Sequence, residues 1–136
     1  MRRLLGILLM AATVALTLLL SAFHGFVGWH KAFSPYEELA RHSAWTVHLP
    51  MWAGRAVGWT ELAATAALLA ALLKPALARV GVWACAIFIA MECVATAVHY
   101  FTRDGGSLLQ NGVSISLTVA LAWLHARRAS VRAATT

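Results

Sequence analysis

The chain has 136 residues, of which 61% are hydrophobic and 12% charged, and its formal net charge is +6. Soluble domains are about 45–50% apolar, so this composition excludes an ordinary soluble domain and favours an integral membrane protein in contact with the lipid bilayer. The basic residues lie at the ends of apolar runs, where they act as topological anchors, so the charge does not indicate nucleic-acid binding. The length leaves room for a single domain over residues 1–136.

Four apolar runs follow one another along the chain. Each is close to the roughly 20 residues that cross about 30 Å of hydrocarbon at about 1.5 Å per residue. The sequence therefore predicts an all-α fold, an integral membrane four-helix bundle, with spans over residues 4–23, 51–73, 80–101 and 108–124.

The first run has an alternative interpretation as a cleaved secretory signal. Met1-Arg2-Arg3 forms a charged start, and Leu20-Ser21-Ala22 offers the small residues of a cleavage site. The run exceeds the ~7–15 residues of a usual signal core, which favours a membrane helix. Cleavage would leave three spans and an external N-terminus.

The two ends of the predicted bundle differ in charge. The end with both termini holds Arg2, Arg3, Lys74, Arg79, Arg127, Arg128 and Arg132. The opposite end holds Lys31, Arg41 and Arg103, together with Glu37, Glu38 and Asp104. The positive-inside rule then places both termini in the cytoplasm and the long first loop outside. Abundant alanine and arginine favour a bacterial inner membrane.

The long first loop contains a helix signal. Ser34 as N-cap, Pro35 at the first helical position and Glu37 three residues after the cap form a capping box. A short interfacial helix is expected to follow, and the loop is either a tether at the membrane surface or a lid over a site. An aromatic belt at this surface would comprise Trp29, Tyr36, Trp45 and Trp52.

The histidines and cysteines do not form a metal or redox motif. His24, His30, His42 and His48 gather near the first loop, but their spacings do not match those of ordinary zinc sites. No metal site is therefore predicted. Cys85 and Cys93 are separated by about 12 Å along one helix, too far for a disulfide, and are interpreted as buried small residues.

Each predicted span carries one polar stripe at helical spacing, and a bilayer favours turning such stripes to the bundle interior. The stripes are Thr13, Thr17, Ser21 and His24; Gly54, Gly58, Glu61 and Thr65; Cys85, Ile89, Glu92, Thr96 and His99; and Asn111, Ser114 and Thr118. Glu61 and Glu92 are expected near the midplane, with Arg55 and His99 nearer the outer surface. The result would be a polar pocket in the outer half of the bundle.

Arg55 lies about 120° round the helix from Glu61, so it is expected to reach a headgroup, a loop carbonyl or another helix.

Two structural alternatives to a pocket stay open. Glu61 and Glu92 could serve as glue between helices. Independently of this, most of the serines and threonines could bond to the carbonyl four residues back.

Three short motifs carry a resemblance to a known family. They are Gly28-Trp29-His30-Lys31 after the first run, Arg55-x-x-Gly58-x-x-Glu61 opening the second, and Met91-x-x-x-Ala95-x-x-x-His99 closing the third. These motifs resemble the DoxX-like family of small four-helix membrane proteins. The likeness covers about residues 23–99, and the fourth run matches only as an apolar helix. Ala64 and Ala67 stand where relatives often have glycine.

The resemblance implies a membrane subunit of quinone-linked sulfur oxidation, or a partner of a membrane or envelope oxidoreductase. It also implies ligand-binding roles for Lys31, Arg55, Glu61 and His99, to which the polar pocket adds Glu92. The chain has no flavin, haem or iron–sulfur signature, so independent catalysis is not expected.

Two functional hypotheses follow from these observations. In the first, the pocket binds a quinone or another small amphipathic molecule, with Glu61 and Glu92 accepting protons and the basic side chains orienting polar oxygens. In the second, the chain is a non-enzymatic scaffold whose outer loop or Gly54/Gly58 face recruits a partner, or a second copy in a homo-oligomer. A small transporter is a weaker third hypothesis, because four spans leave little room for alternating access.

Overall fold

The computed structural model describes residues 1–104 and 107–133 and shows an all-α fold. The α-helices are α1 (Arg2–Phe33), α2 (Tyr36–Arg41), α3 (Met51–Leu73), α4 (Ala78–Thr102) and α5 (Leu108–Ala133), and short 3-10 helices cover Trp45–His48 and Pro75–Leu77. Four of these helices, α1, α3, α4 and α5, are long and apolar enough to cross a membrane. The predicted four-helix architecture is thus confirmed.

Helix α1 extends ten residues beyond the end predicted for the first span, at Phe23, and reaches Phe33. Residues 25–33 were expected in an external loop, and that expectation was wrong. No proline interrupts this stretch before Pro35, which disfavours a helical conformation of the preceding residue. Ser34 accordingly adopts extended angles, with φ −71° and ψ 150°.

The predicted capping box does not form. Helix α2 begins at Tyr36 with Pro35 as its N-cap, and no side chain caps it. Ser34 instead ends α1, and its hydroxyl lies 2.8 Å from Nδ1 of His30. The serine therefore belongs to the end of one helix rather than to the start of the next.

The four long helices form a ring in which sequence neighbours run antiparallel. Helix α1 packs against α3 and α5, and α4 packs against the same two helices, so α1 and α4 lie diagonally across the bundle. An apolar cluster fills part of the interior, and its fully buried members include Leu68, Phe88 and Leu121. We call the end with α2 and the α4–α5 connection the α2 end, and the other the terminal end.

Polar side chains share the interior of the bundle with the apolar cluster, whereas the outside is largely apolar. The predicted stripes face inward, and the buried polar residues include Thr13, Thr17, Ser21, His24, Glu61, Thr65, Glu92, Asn111, Ser114, Thr118 and His125. Large apolar side chains such as Leu8, Trp52, Trp83 and Leu109 are exposed on the outside. This inverted distribution suits a protein surrounded by lipid.

Two glycines of α3 allow other segments of the chain to approach it closely, α1 at Gly58 and the first 3-10 helix at Gly54. A Cβ added at Gly58 would lie 2.5 Å from the backbone nitrogen of Ala32, and one added at Gly54 would lie 3.3 Å from the carbonyl oxygen of Thr46. This face was expected to be available to a second copy of the chain. It is instead covered within the same chain, at Gly58 by the extended end of α1 and at Gly54 by Thr46 of the first 3-10 helix.

Candidate ligand-binding site

A cavity of about 630 Å³ occupies the α2 end of the bundle. Its walls come from α1, α4, α5 and the segment of α2 and the first 3-10 helix, whereas α3 contributes only Glu61. The wall is largely apolar and includes Phe23, Phe26, Val27, Leu39, Trp45, Met91 and Ala95. The polar side chains lining it include Lys31, Glu61, Glu92, His99 and Asn111.

A buried ion pair joins α1 to α3 beside this cavity. Nζ of Lys31 lies 2.6 Å from Oε1 of Glu61, and the residues are 5% and 2% exposed. Long side chains on a helix point back toward its N-terminus, which directs the lysine from the last turns of α1 into the bundle. Lys31 was expected among the charges of an external loop, and the longer α1 places it inside instead.

The second acid forms a separate polar cluster across the cavity. With the amide of Asn111 turned so that its nitrogen faces the Glu92 carboxyl group, Nδ2 donates to Oε2 of Glu92 at 3.2 Å. Nδ1 of His24 lies 3.9 Å from the other carboxylate oxygen. The His24 ring stacks on Phe88 with centroids 3.9 Å apart, which fixes its orientation.

The site has hydrogen-bonding capacity that the described residues leave unused. Oε2 of Glu61 is buried and has no hydrogen-bond partner among residues 1–104 and 107–133. A buried polar atom without a partner costs free energy, so it favours a bound molecule or ordered water beside it. The Lys31 ammonium has three hydrogens, and Glu61 is the one hydrogen-bond acceptor seen for it in the described part of the chain.

The segment between α1 and α3 covers the cavity. Leu39 and Trp45 are each 7% exposed and line it, and the Trp45 ring lies 5.3 Å from Nζ of Lys31. Of the two alternatives for this segment, the structure favours the lid over the surface tether. Trp45 therefore does not belong to the predicted aromatic belt, whereas Trp29 and Trp52 are exposed.

A carboxylate between two histidines fastens this lid to the α4–α5 connection. Asp104 lies 2.9 Å from Nε2 of His48 through one oxygen and 2.7 Å from Nδ1 of His99 through the other. The hydroxyl of Ser43 also donates to the backbone oxygen of Asp104 at 3.1 Å. His99 thus lines the cavity and holds its cover at the same time.

A comparison with known protein families shows which family this chain is related to. Residues 15–122 match the sequence profile of the DoxX-like family. The chain belongs to the DoxX-like family. Together with the four long apolar helices, this membership shows that it is a multi-pass membrane protein. No curated protein and no solved structure matched the chain.

The match reaches further than the motifs suggested, because it begins inside α1 and continues through most of α5. In this DoxX-like protein, four of the five predicted ligand-binding residues, Lys31, Glu61, Glu92 and His99, line one cavity. Their role in binding stays a prediction.

The fifth residue, Arg55, lies apart from that cavity. Its guanidinium donates to the carbonyl oxygens of Lys31 at 3.0 Å and Ser34 at 2.6 Å. The sequence predicted a carbonyl, a headgroup or another helix as its partner, and the structure selects the carbonyls at the end of α1. Arg55 therefore supports the helix that carries Lys31 rather than facing the cavity itself.

Replacing Arg55 with lysine is expected to lower the free energy of unfolding by about 1.5–3 kcal/mol, the contribution of one lost charged hydrogen bond. A single ammonium cannot reproduce the planar fork that reaches two carbonyls. Unfolding of the two proteins in mixed micelles measures the difference. Arg79→Lys is the control, since Arg79 is exposed at the opposite end; equal stability of both variants would contradict this role.

Sequence reasoning did not select Asn111, His24 and Trp45 as site residues. The first two lay on the predicted polar stripes, but spacing along one helix does not show which side chains meet across the bundle. Another missed residue is His125, which is fully buried near Gly81. Its position seven residues after Thr118 continues the stripe of α5 and could have revealed it.

The cysteines and acids of this DoxX-like protein form no cluster suited to a metal ion within residues 1–104 and 107–133. Cys85 is buried in the apolar core, as predicted, whereas Cys93 is exposed on the outside of α4. The prediction that Cys93 is buried was wrong. Side chains eight residues apart on a helix differ in direction by about 80°, so Cys93 points away from the inward direction of Cys85.

Proposed function

We propose that this DoxX-like protein binds a small amphipathic molecule, a quinone or a compound of similar chemistry, as a non-catalytic membrane component of a quinone-linked redox system. The observation that carries the proposal is the cavity with aromatic and aliphatic walls and two polar clusters, Lys31–Glu61 and Glu92–Asn111. Pockets of about 300–1,000 Å³ with this mixture of surfaces are typical of small-molecule sites.

The polar groups complement the oxygens of a quinone or quinol head group. Lys31 and Asn111 supply hydrogen-bond donors for a carbonyl oxygen, and Glu61 and Glu92 supply acceptors for a hydroxyl. Phe23, Phe26 and Met91 provide apolar surface for the ring and its substituents. One site can therefore accommodate both forms of the head group.

Replacing Glu92 with glutamine is expected to weaken binding of a short-chain quinol by about two- to tenfold, since one lost hydrogen bond contributes about 0.5–1.5 kcal/mol. Glutamine preserves the side-chain shape and can still bond to Asn111, so the fold should persist. Equilibrium titration of the protein in nanodiscs measures the affinity.

Cys93→Ser is the matched control for this titration, because Cys93 is the next residue along α4 and faces outward. Equal quinol affinity for wild type and Glu92→Gln would contradict the proposal. Retention of a constant protein partner with no bound small molecule would support the scaffold hypothesis instead, and native mass spectrometry distinguishes the two outcomes.

We further propose that the terminal end faces the cytoplasm of a bacterium and that the cavity lies in the outer half of its inner membrane. The excess of basic residues at the terminal end supports this orientation. Fusions of a cytoplasmic fluorescent reporter and of a periplasmic phosphatase to the C-terminus should give fluorescence without phosphatase activity. The reverse result would contradict this orientation.

A further inference from the structure

We infer that the cavity opens sideways to the bilayer between α1 and α5, and that its ligand carries an apolar chain which leaves through this opening. The inference rests on the proposed function and deepens it, because it assigns the ligand to membrane-resident molecules with a polar head and a hydrocarbon chain. Such a ligand would enter from the lipid rather than from water.

The residues at this opening line the cavity and are also exposed on the outside of the bundle. Phe26 lines the cavity and is 65% exposed, and Gln110 of α5 likewise lines it and is exposed. Phe23, Val27 and His30 line the cavity from the same side of α1 as Phe26, as helical spacing requires.

Helical spacing also places Gln110 on the side of α5 that faces α1. One turn further along α5, Ser114 reaches His24 of α1, with 3.5 Å between Oγ and Nε2. The two helices therefore meet at Ser114, and Phe26 and Gln110, which both line the cavity and are exposed, lie beyond that contact toward the α2 end. We place the side opening there.

The depth of the opening favours an apolar chain. Phe26 precedes the end of α1 by seven residues, which corresponds to about 10 Å along the helix. The charged and polar rim of Arg41 and His42 lies on the lid instead. A head group bound at Lys31, Glu61 and Glu92 can thus direct its chain past Phe26 into the hydrocarbon.

The test compares entry of two quinones into the protein in nanodiscs. A tryptophan at position 110 should obstruct the opening, so Gln110→Trp should slow association of a long-chain quinone by about tenfold and that of a tail-free benzoquinone, which has no chain to pass, by much less. Leu109→Trp is the control, because Leu109 is the preceding residue and is 79% exposed to the outside. Equal slowing of both quinones, or of neither, would overturn the side opening.

A second measurement does not depend on quinone binding and separates the two proposals. The protein is placed in phosphatidylcholine nanodiscs that contain a phosphatidylcholine with a photoreactive diazirine in its acyl chain. After illumination, mass spectrometry should find label on Met91 or Glu92, and Gln110→Trp should reduce it about tenfold relative to Leu109→Trp. Label confined to outward residues such as Val94 would overturn the opening, whereas cavity label without quinone binding would overturn only the proposed function.

Discussion

Replacing Lys31 with methionine is expected to lower the free energy of unfolding by about 3–5 kcal/mol, the penalty for leaving one partner of a buried ion pair uncompensated. The Glu61 carboxylate would keep its 2% exposure and lose the ammonium now 2.6 Å from Oε1. Methionine occupies a similar volume, so the loss reflects charge rather than an unfilled space. Reversible unfolding in mixed micelles measures the change.

The double variant Lys31→Met with Glu61→Gln is the control for this prediction. Removing both charges should recover most of the lost stability, because a neutral pair of similar volume carries little desolvation penalty. If Lys31→Met were as stable as wild type, or if the double variant were no more stable than Lys31→Met, the buried pair would not have the assigned role. The single change Glu61→Gln also leaves Lys31 unpaired, so it cannot by itself separate binding from stability.

Replacing Gly58 with alanine is expected to destabilise the protein by about 1–3 kcal/mol, the range for overpacking a well-filled interior. We expect a value toward the upper end of that range. The new Cβ would lie 2.5 Å from the backbone nitrogen of Ala32 and 2.8 Å from the carbonyl oxygen of Gly28. Backbone atoms cannot rotate away, so α1 must move from α3. That movement would also separate Lys31 from Glu61, and thermal unfolding should show a lower midpoint.

Gly112→Ala is the matched control, because a Cβ at that helical position meets nothing within 4 Å. Alanine favours a helix over glycine by about 1 kcal/mol, so this variant should be unchanged or slightly more stable. A stable Gly58→Ala protein, or equal losses for both variants, would show that the close approach of α1 and α3 does not limit stability.

Much of the fold could be predicted because membrane helices obey simple physical rules. The length of each apolar run located the four spans, and the spacing of Thr17, His24 and Thr118 placed them on inward faces, where the structure has them. The surrounding hydrocarbon makes this inference strong, because a polar side chain that faced the lipid would cost free energy. The inward direction of Glu61 and Glu92 followed from the same reasoning.

The contacts between helices could not be predicted in the same way. Whether Glu61 has a charged partner depends on where α1 ends. Because Ser34 looked like the start of a new helix, most of the ten further residues of α1, which include Lys31, were assigned to a loop. The clamp of Asp104 between His48 and His99 joins residues far apart in sequence. Periodicity gives the direction of a side chain about its own helix, but it does not give the rotation or depth of the neighbouring helix.

The central claim, that an amphipathic molecule binds inside this bundle, is tested most directly by nuclear magnetic resonance of the methionine methyl groups. The protein has four methionines. Met91 lines the cavity, whereas Met1, Met10 and Met51 are exposed on the outside. Titration with a short-chain quinone in nanodiscs should shift the Met91 signal with saturation and leave the other three unchanged. Equal, non-saturating shifts of all four signals, or no shift of Met91, would contradict binding in the cavity.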